Sequence, residues 1–161
     1  MVIAFSFFGL ESLGAFGYLL ALFLYAVAAA VALPTPVELL LFFYPEVSLV
    51  AKALVLGLGK GVGAIAVFYV GKGVNPWIER WMTRHAFWRR FLKVLETFVR
   101  RTREFGLAFL LAIPFMSDTA VNYLYALLNE EGRAVSRLHF VLANVIGGIA
   151  RGLIVVALLP G

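Results

Sequence analysis

The chain has 161 residues, of which 63% are hydrophobic and only 14% charged, against about 45–50% and about 25% in ordinary soluble domains. A chain this short has too little interior to hide so much apolar surface, so lipid is the expected solvent and the protein reads as an integral membrane protein. Without cysteine, and with two histidines and a single aspartate, Asp118, it offers no thiolate zinc site, cysteine nucleophile or aspartate cluster for magnesium. We therefore expect no metal, no cofactor and no catalytic residue.

Met1 to Leu10 is apolar but short and closed by Glu11. It reads as an interfacial lead-in, since it has neither the cationic start nor the cleavage site of a signal peptide. Four apolar blocks follow, from about Leu13 to Tyr44, Leu49 to Val70, Phe105 to Leu128 and Leu138 to Leu159. The second and fourth have the roughly 20 residues that a spanning helix needs.

The first and third blocks are interrupted. Pro34 and Pro36 remove two amide donors from the first, and Pro114 does the same in the third, with Ser117, Asp118 and Thr119 close behind. Broken backbone at membrane depth persists only where protein or a watery cavity satisfies it. Two such segments predict re-entrant hairpins, with kinked spanning helices as the alternative.

Between the second and third blocks, residues 75–105 carry eight cations and three glutamates, so this stretch alone accounts for the net charge of +5. Trp88, Phe91, Leu92, Leu95, Phe98 and Val99 recur at spacings of three and four, and all three tryptophans (Trp77, Trp81, Trp88) lie here. The pattern predicts a basic amphipathic linker in the interface plane, with Trp77, Trp81, Trp88, Arg89 and Arg90 at the membrane surface. The positive-inside tendency places it in the cytoplasm. Such a charge excess points to topology and contact with anionic lipid headgroups, not to nucleic acid.

The two halves echo each other. Pro34 precedes Glu38 by four residues, as Pro114 precedes Asp118. The segment Gly59 to Val67 can be laid over Gly148 to Val156, each with small-xxx-small glycines (Gly59, Gly63 and Gly148, Gly152) and one cation between them, Lys60 and Arg151. Close helix packing explains these glycines better than nucleotide binding, because no Ser or Thr follows Lys60. The reading is one all-α polytopic domain over 1–161. A first unit of broken hairpin plus helix covers about 13–73, the linker about 75–105, and a second, inverted unit about 105–160. Interrupted segments at corresponding places are the best sequence pointer to a transporter-type site.

Charges inside hydrocarbon cost about 2.5–3.5 kcal/mol each on insertion scales, so they need partners. Glu38 and Asp118 are the candidate transport or proton-coupling acids, and Lys60 and Arg151 their counter-charges. Static ion pairs holding hairpins to helices are the competing reading. Lys52, Lys72 and Glu46 lie near block ends and read as topological, with the lysines snorkelling. His139 reads as an interface residue. Asn122, Tyr123, Tyr125 and Asn144 suit either a polar path or helix–helix hydrogen bonds.

The order of these motifs resembles the DedA superfamily, also called the VTT or SNARE-associated Golgi protein family, and among its members the putative small multidrug export proteins. The resemblance rests on LPTPVELLL (Leu33 to Leu41), GKGVGAIAVFYVGKG (Gly59 to Gly73), FGLAFLLAIPFMSDTA (Phe105 to Ala120) and NVIGGIARG (Asn144 to Gly152). It implies two inverted units joined by an amphipathic linker, and movement of lipids or lipid-linked phosphates between leaflets with proton coupling. The family's hairpin acid falls on Glu38. Arginines that many members carry in the second hairpin are replaced by Met116-Ser117-Asp118-Thr119, a departure toward the small-export branch. The expected protein is a transporter or lipid scramblase in a prokaryotic plasma membrane. A small cation or drug exporter and a non-transporting membrane module, which would dimerise or dock a partner through its glycine faces, are the alternatives.

Overall fold

The computed structural model describes residues 14–32, 37–82, 86–129 and 134–158, with side chains from 72 to 92 excluded. Every regular element among them is helical: α1 (Gly14–Val31), a 3-10 turn (Val37–Phe42), α2 (Leu49–Met82), α3 (Ala86–Ala112), α4 (Asp118–Leu128) and α5 (Arg137–Leu158). Three helices, Gly14–Val31, Leu49–Gly71 and Arg137–Leu158, are long and apolar enough to cross a membrane. Their outer faces carry exposed large apolar side chains such as Phe16, Leu58 and Ile146. In water such a surface would drive association; in lipid it is the ordinary exterior.

Glycine lets three of these helices approach closely. A Cβ at Gly59 would lie 2.7 Å from Ala26 Cβ and the Phe23 carbonyl oxygen; one at Gly63 would lie 2.7 Å from Ala30 Cβ and the Val27 carbonyl oxygen. Both chains ascend together, so α1 and α2 run parallel. On its other side α2 meets α5 in the opposite sense: Gly148 packs on Gly57, where a Cβ at Gly148 would lie 2.9 Å from Gly57 Cα, and Gly152 packs on Ala53. Small residues thus set the backbone spacing.

Because α1 and α2 are parallel, the chain between them must return along the bundle. The 3-10 turn lies on that return. Gly147 rests on Ala108 and Leu111 of α3, and Arg151, one turn later in α5, reaches the Leu111 carbonyl. Thr102 of α3 touches Tyr125 of α4, so the α3–α4 pair turns back at Ile113–Ser117, where Pro114 stands and Phe115 takes φ 61°. Pro34 and Pro36, the expected break in the first half, lie outside the described residues.

Two boundaries differ from the sequence expectation. The helix α2 runs on to Met82, not to about residue 73, and carries Pro76 in its interior at the loss of one intrahelical hydrogen bond. The linker joins the third apolar block without a loop: α3 is continuous from Ala86 to Ala112 apart from a break at Arg103 (φ 49°, ψ −140°). That left-handed residue is held by its Nε donating to the Ala134 carbonyl at 3.1 Å. The linker's apolar face also turns inward at its end. Val99 is buried, and Phe98 meets the Tyr125 ring edge-on at 6.5 Å. The side chains of Trp77, Trp81, Trp88, Arg89 and Arg90 lie outside the described residues.

Two apolar clusters fill the interior. One gathers Tyr18, Leu22, Val37, Leu41, Leu56 and Val155, the other Val67, Leu107, Leu111, Tyr125 and Phe140. Along α2, Leu56 belongs to the first, Ala64 and Val67 to the second, and Lys60 lies between them. Overpacking these contacts should cost about 1–3 kcal/mol. Gly59→Ala and Gly148→Ala should therefore each lower the melting temperature in detergent, whereas Val62→Ala on the exposed side of α2 should leave it unchanged. Equal melting of all three variants would refute the packing assignment.

Candidate functional site

Four charged side chains meet between those clusters. Arg151 Nη1 lies 2.9 Å from Glu38 Oε1 and 3.0 Å from Asp118 Oδ1, and Lys60 Nζ lies 2.9 Å from Asp118 Oδ2. None of the four residues is more than 4% exposed. Each comes from a different segment: the 3-10 turn, α2, α4 and α5. Two acids and two cations make the set neutral, the one composition that charges so far from water tolerate.

Local structure explains how each arrives. Lys60 is the central residue of the apolar span Leu49–Gly71, and its stem lies over Gly148, where a Cβ would come within 2.9 Å of Lys60 Cδ. Asp118 opens α4, capped by Ser117, whose hydroxyl accepts from the Ala120 amide at 3.3 Å. A carboxylate in the first turn also suits the helix dipole. Thr119 ties the same turn to α1 by donating to the Ala29 carbonyl at 2.7 Å. Glu38 sits in the first turn of the 3-10 segment and is buried beside Val37 and Leu41.

Arg151 does more than pair with acids. Its Nε donates to the Leu111 carbonyl at 2.6 Å and its Nη1 to the Met116 carbonyl at 3.0 Å. Both oxygens lie beside the Pro114 break, where the helix ladder no longer supplies donors. One guanidinium therefore caps broken backbone and neutralises carboxylates at once, a task suited to its fork of five donors. Glu38 Oε2 and Arg151 Nη2 are buried without a hydrogen-bond partner among the described residues, and so are Lys60 Nζ and Asp118 Oδ1, whose contacts within the cluster are ion pairs.

Lys52 is a correction. It does not snorkel but is 2% exposed, donating to the Leu41 carbonyl at 2.9 Å and the Phe43 carbonyl at 2.8 Å. It caps the 3-10 turn as Arg151 caps the second break. Its ammonium lies 5.4 Å from the centre of the Tyr18 ring, and Tyr18 donates its hydroxyl proton to the Leu40 carbonyl at 2.6 Å. Sequence reasoning missed Tyr18 altogether; an aromatic amid apolar residues carries no signal of its own.

The other sequence candidates separate clearly. Gly59, Gly63, Gly148 and Gly152 all lie at close helix contacts, joined by Gly57 and Gly61. Glu46 and His139 are exposed, and His139 Nδ1 is 2.6 Å from Ser136 Oγ. The Lys72 side chain lies outside the described residues. Asn122 and Asn144 are fully buried. Comparison of the chain with family models, with curated proteins and with solved structures found no match.

Removing one member of a buried pair leaves its partner charged and costs about 3–5 kcal/mol. Asp118→Asn leaves Lys60 without an acid partner among the described residues, whereas Glu38→Gln leaves Arg151 still paired with Asp118, so Asp118→Asn should melt at the lower temperature. Lys60→Met combined with Asp118→Leu leaves the Glu38–Arg151 pair balanced and should recover part of the loss. Loss in the double variant equal to or beyond that of Asp118→Asn would show that charge balance does not govern the cluster.

Proposed function

We propose that the chain is a polytopic membrane transporter or lipid scramblase of the DedA-like kind, moving a lipid or lipid-linked substrate between leaflets. In this reading the segments around the 3-10 turn and around Pro114 are two re-entrant hairpins belonging to inverted units. Support comes from the helix directions: each broken element runs beside its glycine-rich helix in the same sense, and the two glycine-rich helices run antiparallel. The basic linker faces the cytoplasm and rests on anionic headgroups, consistent with the +5 charge concentrated there.

The observation that carries the reading is the neutral cluster of Glu38, Asp118, Lys60 and Arg151 at the meeting point of both broken segments. A rigid anchor would need one pair; this arrangement makes two carboxylates compete for Arg151. When one acid takes up a proton, the cluster is left with a net charge of +1 in apolar surroundings. A phosphate oxygen of a headgroup restores neutrality by binding Arg151 and Lys60 in place of that acid. Loss of the proton returns the carboxylate and expels the headgroup. Proton and anionic substrate thus travel through the same charge balance.

The cation-exporter alternative needs an acid open to a cation. Here both acids already contact Arg151, and Asp118 also contacts Lys60, which favours an anionic or zwitterionic substrate. The arginine lacking from Met116-Ser117-Asp118-Thr119 is in effect supplied by α5, since Arg151 reaches the Met116 carbonyl.

The test is leaflet exchange of a fluorescent phospholipid in proteoliposomes, comparing the parent, Glu38→Gln and empty vesicles. The expected result is exchange by the parent that falls at least about tenfold in Glu38→Gln, corresponding to about 1.4 kcal/mol, with the variant's melting transition retained. Exchange indifferent to Glu38 would keep the activity and discard the site; no exchange by folded protein would discard lipid movement.

A further inference from the structure

A polar stripe leads out of the ionic cluster along α4. Asp118, Asn122, Tyr125 and Asn129 follow at intervals of four, three and four residues, so they share one helix face, and all four are buried. Its far end is fully bonded. Asn129 donates to the Val135 carbonyl at 2.6 Å and accepts from the Ala134 and Val135 amides at 3.0 and 2.9 Å. Tyr125 is 2.7 Å from Thr102 Oγ1, whose own proton goes to the Phe98 carbonyl at 2.8 Å. Tyr125 is therefore the donor of that pair. Thr102 is half-buried between exposed Arg101 and Arg103, at the linker end of the bundle.

Asn122 breaks the pattern. It is 0% exposed, yet neither its Oδ1 nor its Nδ2 has a hydrogen-bond partner among the described residues. Asn144 adds a third such atom: its Nδ2 donates to the Phe140 carbonyl at 3.1 Å, but its buried Oδ1 has no partner there. Because α5 runs antiparallel to α2, Asn144 is displaced from Gly148 and Lys60 toward the same end of the bundle as Tyr125. One orphaned amide and one half-satisfied amide thus lie on the linker side of the acids. Buried amides in proteins are satisfied by protein or by ordered water, and a water needs two or more such polar neighbours.

We propose that this face of α4 is an aqueous access path, binding water between Thr102 and Asp118 by way of Asn122 and conducting protons between the linker side and the cluster. What the protons accomplish there rests on the transport reading; the access itself does not. The titratable and charged groups around the inner end are Glu38 from the 3-10 turn, Lys60 from α2, Arg151 from α5, and Asp118 and Tyr125 from α4; α1 contributes no charged residue. The opposite side of Lys60 is closed by the apolar cluster of Tyr18, Leu22, Leu56 and Val155, which gives the path its direction.

The chain has no cysteine, so single-cysteine variants report access cleanly. Asn122→Cys and Leu107→Cys, the latter at a fully buried apolar position, are reconstituted and treated with a membrane-impermeant trimethylammonium methanethiosulfonate added to one side at a time. From the linker side, the Asn122→Cys thiol should react at least about tenfold faster than the Leu107→Cys thiol, since modification follows water access and thiolate content. Equal rates would overturn the path. Should Asn122→Cys fail to fold, Asn144→Cys decides by the same comparison. The readout needs no transport: equal rates alongside leaflet exchange by the parent would overturn the path alone, whereas fast labelling without exchange would support the path and remove lipid movement.

Discussion

The structure depends on one guanidinium. Arg151 contacts both acids and two carbonyls flanking the Pro114 break, and so fastens the 3-10 turn, the end of α3 and the start of α4 to α5. Burying an arginine is costly unless charge and donors are both satisfied. Here the carboxylates supply the charge and the broken backbone supplies the acceptors. Each defect is the other's remedy: the carbonyls would be unsatisfied without the arginine, and the arginine would be unsatisfied without the break.

The same constraint operates in the first half with different residues. Lys52 serves the Leu41 and Phe43 carbonyls, and Tyr18 serves Leu40. Irregular backbone deep in an apolar bundle is tolerated only when such donors exist. In the antiparallel register of α2 and α5, Gly152 lies on Ala53, so Lys52 and Arg151 come at matching heights of the two glycine-rich helices. The sequence overlay instead likened Arg151 to Lys60, as the one cation between each pair of glycines, although position by position Lys60 falls on Ile149. By the task performed, the counterpart of Arg151 in the first half is Lys52, and Lys60 is an additional cation with Asp118 as its partner.

What was legible in the sequence was whatever is expensive in lipid. Lys60, Arg151, Glu38 and Asp118 stand out because charge amid apolar residues demands compensation, and Pro114 because it removes a donor. The glycines were legible as packing because their spacing repeats a helical face. Less could be read where the outcome depends on which partner a side chain finds. Lys52 lies near a block end, where a lysine normally reaches water; the Leu41 and Phe43 carbonyls and the Tyr18 ring hold it inside. The break at Arg103 has no proline or glycine at that position to announce it, and the bond its side chain makes there goes to Ala134, far along the chain. Asn122 and Asn144 allowed two readings, since an asparagine looks the same whether bonded or not.

The cluster is not symmetric in its acids, and the difference bears on which of them moves. Asp118 is held by two cations, by its place in the first turn of α4 and by Ser117 capping that turn. Glu38 is held by Arg151 alone and keeps Oε2 without a partner among the described residues. If Glu38 leaves, Arg151 still has Asp118, Leu111 and Met116; if Asp118 leaves, Lys60 has no other acid within ion-pair distance among the described residues. Glu38 is therefore the acid whose release disturbs fewest bonds, and it rides on a short 3-10 turn that has no long helical ladder to hold it in place. Under the transport reading, Asp118 is the fixed anion that keeps both cations in position while Glu38 yields to the substrate. Under the same reading the access path along α4 ends at the cluster, and its water carries the proton to Glu38; Arg151 keeps its own protons and holds the two carboxylates near one another without relaying any.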